Sequence, residues 1–167
     1  MEKLNSLQTG LLEKGIIDLQ GDVNQNMFEY VRECLAQLAL KDNPPIRVKI
    51  TSCGGAVAIG LIIHDLFRLY PGLKTGPVIG IARSTAPIIL QACDQRESTR
   101  NSLMMIHHVG RNEVDLDEID DSKKCEKIVV EMRADQEKRY LILEEKKKKS
   151  RSDITALCKE NRDISSQ

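Results

Sequence analysis

At 167 residues with 25 basic and 25 acidic side chains, the chain carries no formal net charge. It therefore lacks the surplus of Lys and Arg on which binding to nucleic acid or another polyanion relies. The length suits one domain, residues 1–167, with a core large enough to need no staples. Five cysteines, an odd number with no Cys-x-x-Cys pair, read as free thiols of a reducing compartment, neither a disulfide framework nor a zinc site. The first fifteen residues hold no basic segment followed by an apolar one, and apolar stretches such as Ala56 to Ile63 fall far short of a membrane span. A soluble cytoplasmic protein is expected, with no nucleic-acid or membrane partner and no metal or cofactor.

In chain order, Gly15 to Leu19 is a short β-type run closed by Gly21. Met27, Val31, Cys34, Leu35 and Leu38 then recur at helical spacing, with Asn24 or Asn26 placed to cap that helix. Asn43, Pro44 and Pro45 break the chain, after which Ile46, Val48 and Ile50 alternate with polar residues as one face of a strand. Gly54 and Gly55 lead into a largely apolar helix from Val57 to about Tyr70, ended by Pro71 and Gly72. Pro77 to Ile81 is the next strand, Thr85 to about Cys93 the next helix, and Leu103 to Ile106 the next strand. This βαβαβαβ order predicts an α/β fold with a mainly parallel sheet covered by helices. In such sheets ligands gather at the carboxyl ends of the strands.

Three features fall at such ends: the Gly54–Gly55 turn, Ser84 and His107. Each alone has a plainer explanation. Paired glycines make tight turns, a serine before a helix is an N-cap, and a histidine at a strand end is commonly just exposed. Together at one sheet edge, a serine and a histidine from different elements supply a nucleophile and its general base. Cys53 sits near this group, but a small buried thiol explains it better than a second nucleophile.

Leu11 to Ile17, the Gly21-Asp22-Val23 turn, the Gly-Gly turn, the Gly80-x-Ala82-x-Ser84 stretch and Met105-Ile106-His107 resemble the proteolytic subunit of the Clp protease family, over about residues 10 to 167. The short spacing from Ser84 to His107 is closer to the phage and prophage members than to the bacterial housekeeping ones. The resemblance implies a ClpP/crotonase-like spiral of βαβ units and a serine endopeptidase. Ser84 would attack the peptide carbonyl, and His107 would take the proton and return it to the leaving amine. The backbone amides of Gly55 and Thr85 would form the oxyanion hole, with Thr85 in place of the usual methionine and favoured by its place at a helix start. His107 directly follows Met-Ile and so matches the base; His108 does not. The family's aspartate follows a C-terminal helix, here Asp153 to Lys159. An ungapped match of Ile164 and Ser165 puts Asn161 at that position and a gap of two puts Asp163 there, the preferred choice, because a carboxylate stabilises the imidazolium and an amide does not. The family adds a further helix and strand beyond this point, so the C-terminal end reads as short. Cys53 replaces a proline, and Arg83 stands where the family mostly has alanine. Arg83 is expected to face solvent, with contact to substrate or a neighbouring subunit as the other roles weighed.

Ile119, Cys125, Val129, Met132, Tyr140 and Leu143 recur at helical spacing in a strongly charged segment, a long amphipathic helix over about residues 115–150. Its apolar stripe is too long for a small domain to cover, so another chain is expected to bury part of it. In the resembled family this protruding handle stacks two rings into a chamber fed with unfolded polypeptides by an AAA+ unfoldase ATPase, which implies a homo-oligomer. Lys146 to Lys149 with Arg151 read as a solvated helix end. Two other functions stay open: a catalytically impaired subunit that completes a ring, and a crotonase-like acyl-CoA enzyme in which backbone amides polarise a thioester without a serine.

Overall fold

The computed structural model describes residues 4–110, 114–145 and 149–165. The chain divides into two compact units, residues 1–106 with 162–167, and residues 107–161.

In the first unit, α1 (Ser6–Glu13) opens with a capping box on Asn5 and precedes β1 (Ile16–Val23). Helix α2 (Gln25–Ala39) starts at Asn24, whose side chain accepts from the Met27 amide at 3.1 Å. It buries Met27, Val31, Cys34 and Leu38, spaced four, three and four residues apart along one stripe. Burial also pushes the Cys34 thiol up to about 12, so it stays protonated as a core side chain. Strand β2 (Ile46–Gly55) buries Ile46, Val48, Ile50 and Ser52 in strict alternation, and α3 (Val57–Leu69) packs Ile63 and Phe67 into the same core. Strand β3 (Lys74–Arg83) is followed by the short α4 (Ala86–Leu90), β4 (Gln95–Ser98), β5 (Leu103–Met105) and, after the second unit, β6 (Ile164–Ser165).

The sheet runs β1-β2-β3-β5-β6 with β4 also on β3. All pairs are parallel except β5 with β6. Strand β3 is its hub. One edge pairs with β2, and the other pairs first with β4 (Thr75–Val78) and then with β5 (Ile81–Arg83). Between these stretches the β2–β3 register slips, from Ile50 opposite Val78 to Ser52 opposite Ala82. The extra β3 residues bulge at Gly80 (φ +77°), and the Thr51 hydroxyl donates to the Ile79 carbonyl at 2.7 Å beside it. A bulge re-aims the strand beyond it, here the segment that ends at Ser84.

The second unit holds α5 (Leu116–Asp120), α6 (Ser122–Glu145) and α7 (Arg151–Glu160). Where the periodicity predicts one long helix, the backbone breaks at Asp121, which is extended (φ −81°, ψ 104°). The Asp121 carboxylate accepts from the Lys123 and Lys124 amides, so it starts α6 anew. Helix α6 buries Ile128 and Arg139, while Val129, counted in the apolar stripe, is exposed. Arg151 is no solvated cation: its guanidinium bonds Glu144 at 2.6 and 2.7 Å and Glu137 at 2.7 and 2.8 Å, and lies 4.6 Å from the centre of the Tyr140 ring. Of the rest of the predicted basic run, Lys146 to Lys148 lie outside the described residues and Lys149 is exposed. Among the described residues no helix is long and apolar enough to cross a membrane.

Candidate active site

Ser84 occupies the turn from β3 into α4 with φ +57°, the left-handed region that a non-glycine residue enters only when its surroundings hold it there. Two contacts hold it. The Ser84 amide donates to the Met105 carbonyl at 2.8 Å, one step past the β3–β5 ladder. From the other side the Gly54 backbone presses against the turn. A Cβ on Gly54 would lie 2.6 Å from the Arg83 carbonyl oxygen, 2.6 Å from the Ser84 Cβ and 2.9 Å from the Thr85 nitrogen. Gly54, at φ +93°, is thus required by sterics as well as by conformation. A serine on a strained strand-to-helix turn has its hydroxyl lifted clear of the backbone, the geometry a nucleophile needs.

Thr85 is buried, and its hydroxyl donates to the Gly55 carbonyl at 3.1 Å, tying the glycine turn to the serine turn. The two expected oxyanion-hole residues therefore sit on adjoining backbone. Gly55 is also required by sterics: a Cβ there would meet the Val23 carbonyl oxygen of β1 at 2.4 Å. The helix after Ser84 is also shorter than the predicted Thr85–Cys93 run. It covers Ala86–Leu90, with Pro in its first turn, so any help to an anion comes from individual amides and little from a macrodipole.

Arg83 departs from the solvent-facing role expected of it. Its Nε donates to Asp163 Oδ1 at 2.7 Å and its Nη2 to Oδ2 at 2.5 Å, a two-pronged pair with both side chains about one-third exposed. The guanidinium holds the Asp163 carboxyl below the usual carboxylate range, and the carboxylate in turn raises Arg83. Asp163 directly precedes β6, within the same unit as Ser84. Asn161, the other candidate, closes α7 as a left-handed C-cap (φ 47°, ψ 42°), a position asparagine fills for its backbone tolerance. No sequence signal joined Arg83 to Asp163, which lie 80 residues apart. The single hint was a charged side chain beside a serine where a small one is usual.

His107 opens the second unit and is half-buried. Burial, and then the charge of Arg139, push its pKa below the ordinary histidine value, so the ring is neutral and able to accept a proton at neutral pH. His108 has a structural partner instead: its Nε2 lies 2.9 Å from the Tyr140 hydroxyl. The next residue is also fastened to α6, with the Val109 amide donating to Gln136 Oε1 at 2.7 Å. Neither Gln136 nor Tyr140 was singled out for this role from the sequence, since helical periodicity reports apolar positions and not hydrogen-bond partners.

All five cysteines are free thiols, with Cys53 exposed on β2 and not buried as expected. Among the described residues no cluster of three His, Cys, Asp or Glu side chains is placed to hold a metal. A cleft of about 440 Å³ lies among α1, β1 and α2, and its lining includes none of Ser84, Thr85, Gly54, Gly55 or Asp163.

The fold and site together are a mainly parallel α/β sheet with a left-handed serine at the carboxyl end of its hub strand. The chain matches the Clp protease family model over residues 1–166 and belongs to that family. It is 31% identical over 109 residues to an ATP-dependent Clp protease proteolytic subunit from Ligilactobacillus salivarius, covering 64% of this chain and 55% of that protein. It thus spans about half the length of the curated relative that it matches. An Asn-to-Asp mutant of ClpP1 from Listeria monocytogenes has a similar structure, with a TM-score of 0.78 and 25% identity over 94% of this chain and 85% of that one.

Proposed function

We propose that the chain is a serine endopeptidase, the proteolytic subunit of an ATP-dependent Clp-like protease. The observation that carries this reading is Ser84 in its left-handed turn, braced by Gly54. The Ser84 hydroxyl attacks the peptide carbonyl as the neutral His107 imidazole takes its proton. The amides of Gly55 and Thr85 receive the developing oxyanion, and the protonated imidazole then delivers its proton to the departing amine. Asp163 is the carboxylate that orients and stabilises the imidazolium. In this reading residues 1–167 form one protease domain whose segment 115–150 is the handle. Membership of the family and exposed Leu116, Ile119, Val130 and Leu141 in α5 and α6 support a homo-oligomer, ring-shaped as in Clp proteases. Its partner is an AAA+ unfoldase and its substrates are unfolded polypeptides reaching an internal chamber in the cytoplasm.

The second reading, a ring subunit impaired in catalysis, is favoured by one observation: the carboxylate assigned to the triad is already held by Arg83. Labelling of the assembled protein with a fluorophosphonate decides between them. Modification of Ser84 that disappears in Ser84→Ala, together with loss of peptide hydrolysis by about a thousandfold or more, is the expected result. An assembled particle that takes no label overturns the peptidase reading.

A further inference from the structure

Resting on the proposed triad, we infer that Arg83 is the positioning residue for Asp163: its guanidinium fork sets the direction of the carboxylate and ties it to the backbone turn that carries the nucleophile.

The strand register places the two side chains for this. Arg83 pairs with Met105 across β3 and β5, and Met104 pairs with Ile164 across β5 and β6. One further step in the antiparallel register sets Asp163 opposite Met105. Arg83 and Asp163 thus occupy one row on either side of β5, separated by two strand spacings, about 10 Å. An extended arginine spans that gap, and a lysine would bring a single point charge in place of a planar fork. The two bonds, at 2.7 and 2.5 Å, use one acceptor site on each oxygen of Asp163. A carboxylate has about four such sites, so the pair leaves capacity on both oxygens for an imidazole N–H.

The pair also answers a local weakness. Among the described residues strand β6 pairs over two residues, and Ile164 is 37% exposed, so within them neither a long ladder nor core packing fixes the side chain that precedes it. Exposed ion pairs contribute little as a rule, but a two-pronged Arg–carboxylate pair is the geometry in which direction as well as charge is specified. Arg83 is the covalent neighbour of Ser84, so movement of the nucleophile's turn and of the carboxylate are linked through one side chain.

The test is steady-state hydrolysis of a fluorogenic peptide by the assembled full-length chain carrying Arg83→Gln, Arg83→Lys, Asp163→Asn or the Arg83→Gln/Asp163→Asn pair. Melting curves establish that each is folded. Arg83→Gln is expected to lower kcat about tenfold with KM within about twofold, and Arg83→Lys to recover part of the loss. Adding Arg83→Gln to Asp163→Asn is expected to change kcat no further, as required if Arg83 acts through the carboxylate. Arg83→Gln that is as fast as the parent, or faster, overturns the inference while Asp163→Asn remains impaired. A faster variant would mark Arg83 as a restraint on Asp163. Full activity of Asp163→Asn overturns the triad itself, and the inference falls with it. Should Arg83→Gln fail to fold, Arg83→Lys retains the charge, and the same kcat and KM comparison with the parent decides the question.

Discussion

The turn around Ser84 and the helix α6 hold polar groups in place by different means. Ser84 is fixed by backbone: a neighbouring glycine with no room for a Cβ, an amide bonded to the Met105 carbonyl, and the buried helix α4 behind it. Helix α6 buries only Ile128 and Arg139 and is fixed largely by side chains, with Arg151 bridging Glu137 and Glu144 and with Gln136 and Tyr140 gripping residues 108 and 109. Steric constraints on a close-packed backbone are insensitive to salt and pH and intolerant of a single methyl group. Charged clamps at a surface have the opposite profile. The first region should therefore respond to substitution almost discontinuously, and the second should respond in a graded manner to the solution.

The largest expected effect is at Gly54. Gly54→Ala places a methyl group against the Arg83 carbonyl and the Ser84 Cβ, and it also strains a left-handed backbone. Destabilisation by more than about 3 kcal/mol is expected in denaturant melts, with fluorophosphonate labelling reduced by about a hundredfold or more. Near-normal labelling in this variant would show that the serine turn does not depend on its brace.

An intermediate effect is expected from acid. The folded state lowers the pKa of His107 through burial first and Arg139 second, so the unfolded chain binds that proton more readily. The stability linked to this group is fully present above the ordinary histidine value of about 6.5 and is lost as pH falls from there through the folded-state value. The acid limb of kcat/KM should correspondingly lie below about pH 6.5. Rates and melting temperatures measured at constant ionic strength would check both, and a limb above pH 7 would contradict the assignment of a buried neutral imidazole.

The smallest effect is expected at Arg151. Arg151→Ala removes four charge-assisted hydrogen bonds to Glu137 and Glu144. It should lower the melting temperature modestly in dilute buffer, and the difference from the parent should close as salt approaches about 1 M, where the screening length is near 3 Å. A deficit that persists in high salt would mean that packing on Tyr140, and not charge, is what Arg151 supplies.

The same division governs what could be read from the sequence. Strand β2 and helix α2 were legible because their apolar residues repeat at the period of the element they form, and β1, β3 and α3 as apolar runs. Strands β1 and β3 nevertheless extend past the expected Gly15–Leu19 and Pro77–Ile81 to Ile16–Val23 and Lys74–Arg83. The cap of α2 was narrowed to Asn24 or Asn26, and Asn24 fills it. Strand β4, Gln95–Ser98, carries no apolar alternation and pairs only because β3 offers an open edge, so nothing local marks it. The split at Asp121 was hidden because aspartate is tolerated within a charged helix as well as before one. Along α6 the buried stripe includes Arg139, a residue that an apolar count discards. At the candidate site, small residues before and after Ser84 marked the turn, and Gly54 and Gly55 marked its neighbour. The link between Arg83 and Asp163 depends on β6 lying antiparallel beside β5, a tertiary fact with no local trace.

The hub position of β3 has a kinetic consequence. The turn at Ser84 needs β3 to have met β2 before it in the chain and β5 after it, and the ion pair beside it needs Asp163, 80 residues beyond Arg83. Contacts of such sequence separation are slow to close, and during synthesis the most distant partner emerges last. On the ribosome, then, the β2–β3 pairing can form well before the ion pair beside the serine. If the chain is a peptidase, this order of assembly delays a finished site until the segment that carries Asp163 has been made.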